Sequence, residues 1–181
     1  SLDQADSITD IIIRRWAKQA DGYTLKAQVF LQRNDTAAAE TYIDKAIEAD
    51  KYNIGAHTAK ANILMSHEQY NEAIQHFDES LRLNPKQANT LINRALCHYH
   101  LNHYRDAMAD YDRALDLEPK NFIGHYNRGL LRANVGEDNL AIEDFNFILS
   151  IDPDDMMATF NRATLLENIG DYRGAIRDYT T

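Results

Sequence analysis

The chain has one cysteine, one tryptophan, three prolines and seven glycines in 181 residues. A lone cysteine, Cys97, excludes an intramolecular disulfide and leaves the redox compartment open. Apolar runs are short, Ile11 to Ile13 being among the longest, whereas a membrane span needs about 20 apolar residues. Membrane insertion is therefore not expected. No signal peptide is visible, although a chain opening on Ser1 suggests a trimmed or processed start. The expectation is a soluble protein, cytoplasmic or periplasmic/extracytoplasmic. Basic residues are outnumbered, with 19 Lys and Arg against 28 Asp and Glu and a net charge of −9. An acidic chain without a basic stripe is repelled by phosphates, which argues against nucleic acid as a partner. Glycine-rich phosphate loops and zinc-protease motifs are also missing.

What is present is a period. Pro85, Pro119 and Pro153 stand 34 residues apart, and other columns keep the same step. Small residues recur at Ala27, Ala61, Ala95, Gly129 and Ala163, and again at Ala39, Ala73, Ala107, Ala141 and Ala175. A short side chain at one point on each of two helices lets their backbones cross closely. Large apolar residues fill Ile43, Phe77, Tyr111, Phe145 and Tyr179, one turn after the second small column and on the same helix face. Between the helices stand Asn34, Asn102, Gly136 and Gly170, which tolerate the left-handed conformation after a helix end, with Glu68 as the exception. Each proline ends a second helix by pushing its predecessor out of helical dihedrals, while Lys51 replaces proline at the first junction. A helix pair of this length buries its apolar face only by stacking on a neighbour.

The segment ANTLINRALCHYHLNHYRDAMADYDRALDLEPKN, beginning at Ala88, resembles the tetratricopeptide repeat at its small, aromatic and proline positions. The resemblance covers nearly nine tenths of the chain and implies an all-α fold, a right-handed superhelical solenoid of antiparallel helix pairs. Repeats are expected at 20–53, 54–87, 88–121 and 122–155, with a truncated repeat at 156–181. Residues 1–19 then form the second helix of a partial preceding repeat or an N-terminal cap, with Ala5, Ile8, Ile12 and Trp16 as its apolar stripe. Ile176 and Tyr179 lack a covering helix in the sequence given. That leads to the expectation that the protein continues past Thr181, and leaves the uncapped repeat open to end-to-end self-association.

In this family the first helix of each repeat lines the concave side, so the resemblance implies a peptide-binding face. It places there Asn89, Ile92, Asn93, Leu96, Tyr99 and His100, then Ile123, Tyr126, Asn127, Leu130, Ala133 and Asn134, then Met157, Phe160, Asn161, Thr164, Glu167 and Asn168. Only Glu167 among them is charged. Asn93, Asn127 and Asn161 form a column, and an asparagine amide both donates and accepts, so it can read the backbone of an extended peptide. The column resembles the asparagine ladder of the O-GlcNAc transferase solenoid, although Leu25 and Ala59 interrupt it in the first two repeats. Tyr99, Tyr126 and Phe160 would add apolar contact area. The alternative is that these amides bond to neighbouring helices or water.

A second column, Arg94, Arg128 and Arg162, is followed sixteen residues later by Asp110, Asp144 and Asp178. The first two repeats lack both members, carrying Lys26 with Tyr42 and Lys60 with His76. Such internal covariation favours structural ion pairs between the two helices of a repeat. The carboxylate clamp of the family's co-chaperones is not matched, because Asp21, Gly55, Asn89, Ile123 and Met157 occupy its second position.

Chemistry is not expected. His98, His100 and His103 cluster, but no acidic or cysteine ligand repeats with them and His98 falls at a position held elsewhere by Phe30, Leu64 and Leu166, so neither metal nor cofactor is expected. Cys97 and His98 point about 100° apart on a helix and do not make a nucleophile and base. The repeat at 122–155 departs from the rest with His125, Arg132 and Ile148. These readings converge on a non-catalytic scaffold that binds a protein or peptide segment, extended and uncharged or weakly basic, in its concave groove. The rival is an architectural or oligomerisation segment with no peptide ligand.

Overall fold

Local signals set the helix boundaries. Asp35, Asn53, Asn121, Asp155 and Asp171 each precede a helix and accept a hydrogen bond from the backbone N–H three residues on, at 2.7–3.0 Å. These bonds satisfy donors that a helix start leaves open. At the turns within pairs the backbone goes left-handed at Asn34 (φ 59), Glu68 (φ 60), Asn102 (φ 60), Gly136 (φ 80) and Gly170 (φ 83). Glu68, the exception by residue type, thus adopts the same conformation as its counterparts. At the turns between pairs, Asp50, Asn84, Glu118 and Asp152 leave helical dihedrals and donate their N–H to a carbonyl four residues back at 2.9 Å. The junction at Lys51 needs no proline for this.

The computed structural model describes residues 2–15 and 20–180, which are helical apart from short turns and contain no strand among the described residues. Two units are distinguished, Ser1–Cys97 and His98–Thr181. The first holds α1 (Leu2–Arg15), α2 (Ala20–Gln32), α3 (Thr36–Ala49), α4 (Ile54–Ser66), α5 (Tyr70–Leu83) and most of α6 (Ala88–His100). The second holds the end of α6 with α7 (Tyr104–Leu117), α8 (Phe122–Asn134), α9 (Asp138–Ile151), α10 (Met156–Asn168) and α11 (Tyr172–Tyr179). Within the units, α2 packs on α3, α4 on α5, α8 on α9 and α10 on α11, while α3 abuts α4 and α9 abuts α10.

The periodic small and large residues supply the cores. In the first unit Ala27, Ala39, Ile43 and Ile63 form one cluster, and Ala61, Leu64, Ala73, Phe77 and Cys97 another. In the second, Ala141, Phe145, Ile148, Ala158 and Leu165 pack together. Gly129 stands in a column of alanines because the α8 backbone lies against Phe145. A Cβ there would sit 3.2 Å from that ring. On α1, Thr9 takes the buried place that Ile43 and Phe77 hold in later repeats, whereas Ile8 of the expected stripe is exposed. Trp16 and the Ile12 side chain lie outside the described residues.

Candidate functional site

The candidate surface is the first-helix face, which in the second unit is carried by α8 and α10. Their 13-residue length, close caps and small core-facing residues hold the two helices side by side through α9. Apolar side chains stand out here: Ile123 is 60% exposed, Met157 61% and Phe160 59%. Tyr126 is half-buried against the Phe145 cluster, its ring edge-on to Phe145 at 5.9 Å. The Phe160 ring meets Tyr179 at 6.0 Å, beside an open depression of about 330 Å³ also lined by Met156 and Thr159. Leu130 is half-buried, and Asn134 and Asn168 are exposed.

The asparagine column is not uniform. Asn161 Nδ2 donates to the Met157 carbonyl at 2.8 Å and to the Tyr126 hydroxyl at 3.2 Å, which occupies both amide hydrogens. Toward a ligand it can offer only its oxygen. In the first unit Asn93 Nδ2 donates to Asn62 Oδ1 at 2.9 Å, and Leu96 is half-buried while Asn89 is exposed. Ile92, placed on the inner stripe by the resemblance, is only 3% exposed and leaves the candidate surface. Asn127 is half-buried, and its amide has no hydrogen-bond partner among the described residues. Tyr99, in the second unit, is half-buried beside Tyr104 at 5.8 Å.

The basic column is built on both sides. Arg128 Nη2 and Nε donate to Asp144 at 2.7 and 3.1 Å, and Arg162 Nε and Nη2 donate to Asp178 at 2.7 Å each. Arg94 belongs to the first unit and Asp110 to the second. A carboxylate sixteen residues before each of the first four basic residues went unnoticed in the sequence. Lys26 meets Asp10 at 2.6 Å, Lys60 meets Asp44 at 2.9 Å, Arg94 meets Asp78 at 2.6 Å and Arg128 meets Asp112 at 2.8 Å. In the last repeat Arg162 donates instead to Asn146 at 2.8 Å. The signal was available, since Asp10, Asp44, Asp78 and Asp112 are themselves 34 residues apart. Burial opposes the Arg128 charge, yet the hydrogen bonds and attraction of Asp144, then of Asp112, raise its pKa above the ordinary arginine value.

Two histidines occupy a further column that sequence reasoning left unpaired. His125 Nδ1 lies 2.7 Å from Asp144 Oδ1 and Nε2 lies 3.0 Å from the Pro119 carbonyl, with the ring stacked on Phe147 at 3.9 Å. Arg132 also donates to Asp144, at 2.7 Å, while its Nε is buried without a partner. One carboxylate, 2% exposed, therefore serves three side chains. In the second repeat His57 Nε2 lies 2.9 Å from the Lys51 carbonyl and Nδ1 lies 3.0 Å from His76 Nδ1. A carbonyl only accepts, so His57 carries its proton on Nε2 and its Nδ1 accepts from His76. Burial first, then repulsion from His57 when it is protonated and from Lys60, holds the His76 pKa below the usual imidazole value.

Family models for the tetratricopeptide repeat match residues 20–53, 54–87 and 88–121, which together span more than half the chain. The chain belongs to the tetratricopeptide repeat family. Similar solved structures agree on the tetratricopeptide fold. YrrB, described as a tetratricopeptide protein with an unusual peptide-binding site, matches with a TM-score of 0.83 at 21% identity, covering 94% of this chain and 88% of its own. PilF of Pseudomonas aeruginosa matches with a TM-score of 0.77 at 23% identity, covering 91% and 75%. A tetratricopeptide repeat protein from Parabacteroides merdae ATCC 43184 matches with a TM-score of 0.77 at 20% identity, covering 98% and 70%. No curated protein sequence matches. No helix among the described residues is long and apolar enough to cross a membrane.

Proposed function

We propose that this tetratricopeptide chain is a non-catalytic interaction scaffold whose second unit binds an extended, uncharged or weakly basic peptide along α8 and α10. Tetratricopeptide proteins are protein-interaction scaffolds as a class and typically carry no catalysis of their own. The observation that carries the finer reading is Asn127, an unengaged amide one turn after exposed Ile123 on α8, with Met157 and Phe160 exposed on α10. The amide can pair with a peptide N–H and C=O together, and the apolar neighbours take up alternate side chains. Asn134, Leu130, Tyr126 and Asn168 extend the surface, with Asn161 contributing its oxygen. Asn89, Asn93 and Leu96 offer the same residue types in the first unit. The single sulfhydryl is unsuited to nucleophilic chemistry, because Cys97 is fully buried and burial pushes its thiol up to about 12.

The architectural reading is favoured at two of the three asparagines, since Asn93 and Asn161 spend their amides inside the fold. Peptide-library binding to the native chain, to Asn127→Ala and to Asn161→Ala separates the two. Loss of a two-point amide contact is expected to weaken binding about tenfold in Asn127→Ala, at a net of about 0.7 kcal/mol for each of the two hydrogen bonds. Asn161→Ala is expected to change it less. Equal signals from native chain and Asn127→Ala, or no selected peptide at all, leave the scaffold purely architectural.

A further inference from the structure

We propose that the turn of the third repeat is a binding site for a divalent late first-row transition metal, held by His98, His103 and Asp106. Sequence reasoning weighed three histidines and found no acidic partner. The fold supplies one. Asp106 lies in the first turn of α7, and ligating atoms of His98, His103 and Asp106 all lie within 4.8 Å of one another. The two imidazole rings are 5.9 Å apart between centroids.

The backbone fixes this arrangement independently of any ion. Asn102 turns left-handed at φ 60, and the His103 N–H donates to the His98 carbonyl at 2.8 Å, which closes the end of α6 onto the start of α7. His103 stands at the N-cap of α7 but makes no side-chain capping bond, so its ring is not committed to the helix. His103 and Asp106 are exposed and His98 is half-buried, so one ligand is anchored while two remain adjustable. Tetrahedral coordination with bonds of about 2.0–2.1 Å places ligand atoms about 3.3 Å apart. Rotation of the two exposed side chains covers that difference. Solvent then fills the fourth position.

The donor set selects the ion. Two imidazole nitrogens with one carboxylate suit zinc, cobalt or nickel, whereas calcium and magnesium require oxygen-rich shells. The three residues occur together only here: the corresponding positions hold Leu64, Gln69 and Glu72 in the second repeat, and Arg132, Glu137 and Leu140 in the fourth. His100, although part of the histidine cluster in the sequence, stands outside the convergent set with its ring edge-on to Tyr99 at 5.8 Å. It is the internal control.

The test is a titration of the full chain, free of any polyhistidine tag, with Co²⁺ followed by visible absorption and with Zn²⁺ followed by calorimetry. One equivalent is expected to bind. His103→Ala and Asp106→Asn are each expected to weaken binding at least about tenfold, since even partners behind the ligands carry 10–100-fold effects. His100→Ala is expected to bind as the native chain does. Circular dichroism reports the helix content of each variant, and Asp106→Asn, an exposed isosteric change, decides the matter should His103→Ala unfold. Absence of stoichiometric binding, binding that survives both substitutions, or binding lost with His100→Ala would each overturn the proposal.

Discussion

Replacing Asp144 by asparagine probes the polar centre of the fourth repeat without opening a cavity. The Asp144 carboxylate is 2% exposed and receives hydrogen bonds from Arg128, Arg132 and His125, whose side chains are 12–16% exposed. Neutralising it leaves two guanidinium groups facing an amide, one arm of which is itself a donor. Breaking a buried pair by removing one partner costs about 3–5 kcal/mol, because the remaining charge is uncompensated. The residual exposure of the arginines places the expectation at the lower end, about 3 kcal/mol. Asp112 is the reference: it bonds to the same Arg128 but is 51% exposed, so Asp112→Asn should cost at most about 1 kcal/mol. For a chain of this size each kcal/mol moves the melting temperature by about 2–4 °C. Urea denaturation followed by circular dichroism gives the two costs. Since stacked repeats can open separately, hydrogen exchange of the α8 and α9 amides localises the effect. A double-mutant cycle with Arg128 should return clear coupling to Asp144 and little to Asp112. Equal costs for the two substitutions would refute the assignment of Asp144 as a buried anchor.

Three further outcomes are expected. Glu68 holds φ 60 without the freedom of glycine, so Glu68→Gly should raise stability by about 0.5–1 kcal/mol in urea, and a loss would show that the left-handed turn is not strained. Cys97, fully buried and with its thiol pushed up to about 12 by burial, should react with a disulfide reagent far more slowly than a free thiol until the first unit opens, and prompt labelling would contradict its placement. His76 has a folded pKa below its unfolded value of 6.5, so the unfolded chain takes up the proton first. Its contribution is therefore complete above that pH and is lost as the pH falls below it, so the stability difference between native chain and His76→Gln should shift against the native chain from pH 7.5 to 5.5. A constant difference would remove His76 from the pH response.

The helix pairs were legible because three features repeat in step: proline at the junctions, alanine at the crossings and a large apolar residue one turn on. Each of these acts locally or against an adjacent helix, and sequence spacing reports such constraints directly. Polar partners were harder to see because a first helix has neighbours on two sides. Looking sixteen residues forward from Arg128 finds Asp144, and looking sixteen back finds Asp112, which was overlooked. The engagement of Asn161 with Tyr126 was hidden for another reason, since a column of identical residues does not reveal which amides the fold itself consumes. Asp106 joined His98 and His103 only once the turn at Asn102 brought the two helix ends together.

The measurement that bears most directly on the proposed mode of recognition uses a library-selected peptide and the same peptide N-methylated at alternate residues. Methylation removes backbone N–H donors and leaves the side chains in place. Recognition through Asn127 predicts at least about tenfold weaker binding for one of the two methylation registers, with the difference vanishing in Asn127→Ala. Unchanged affinity in both registers would mean that the α8 and α10 surface does not read a peptide backbone.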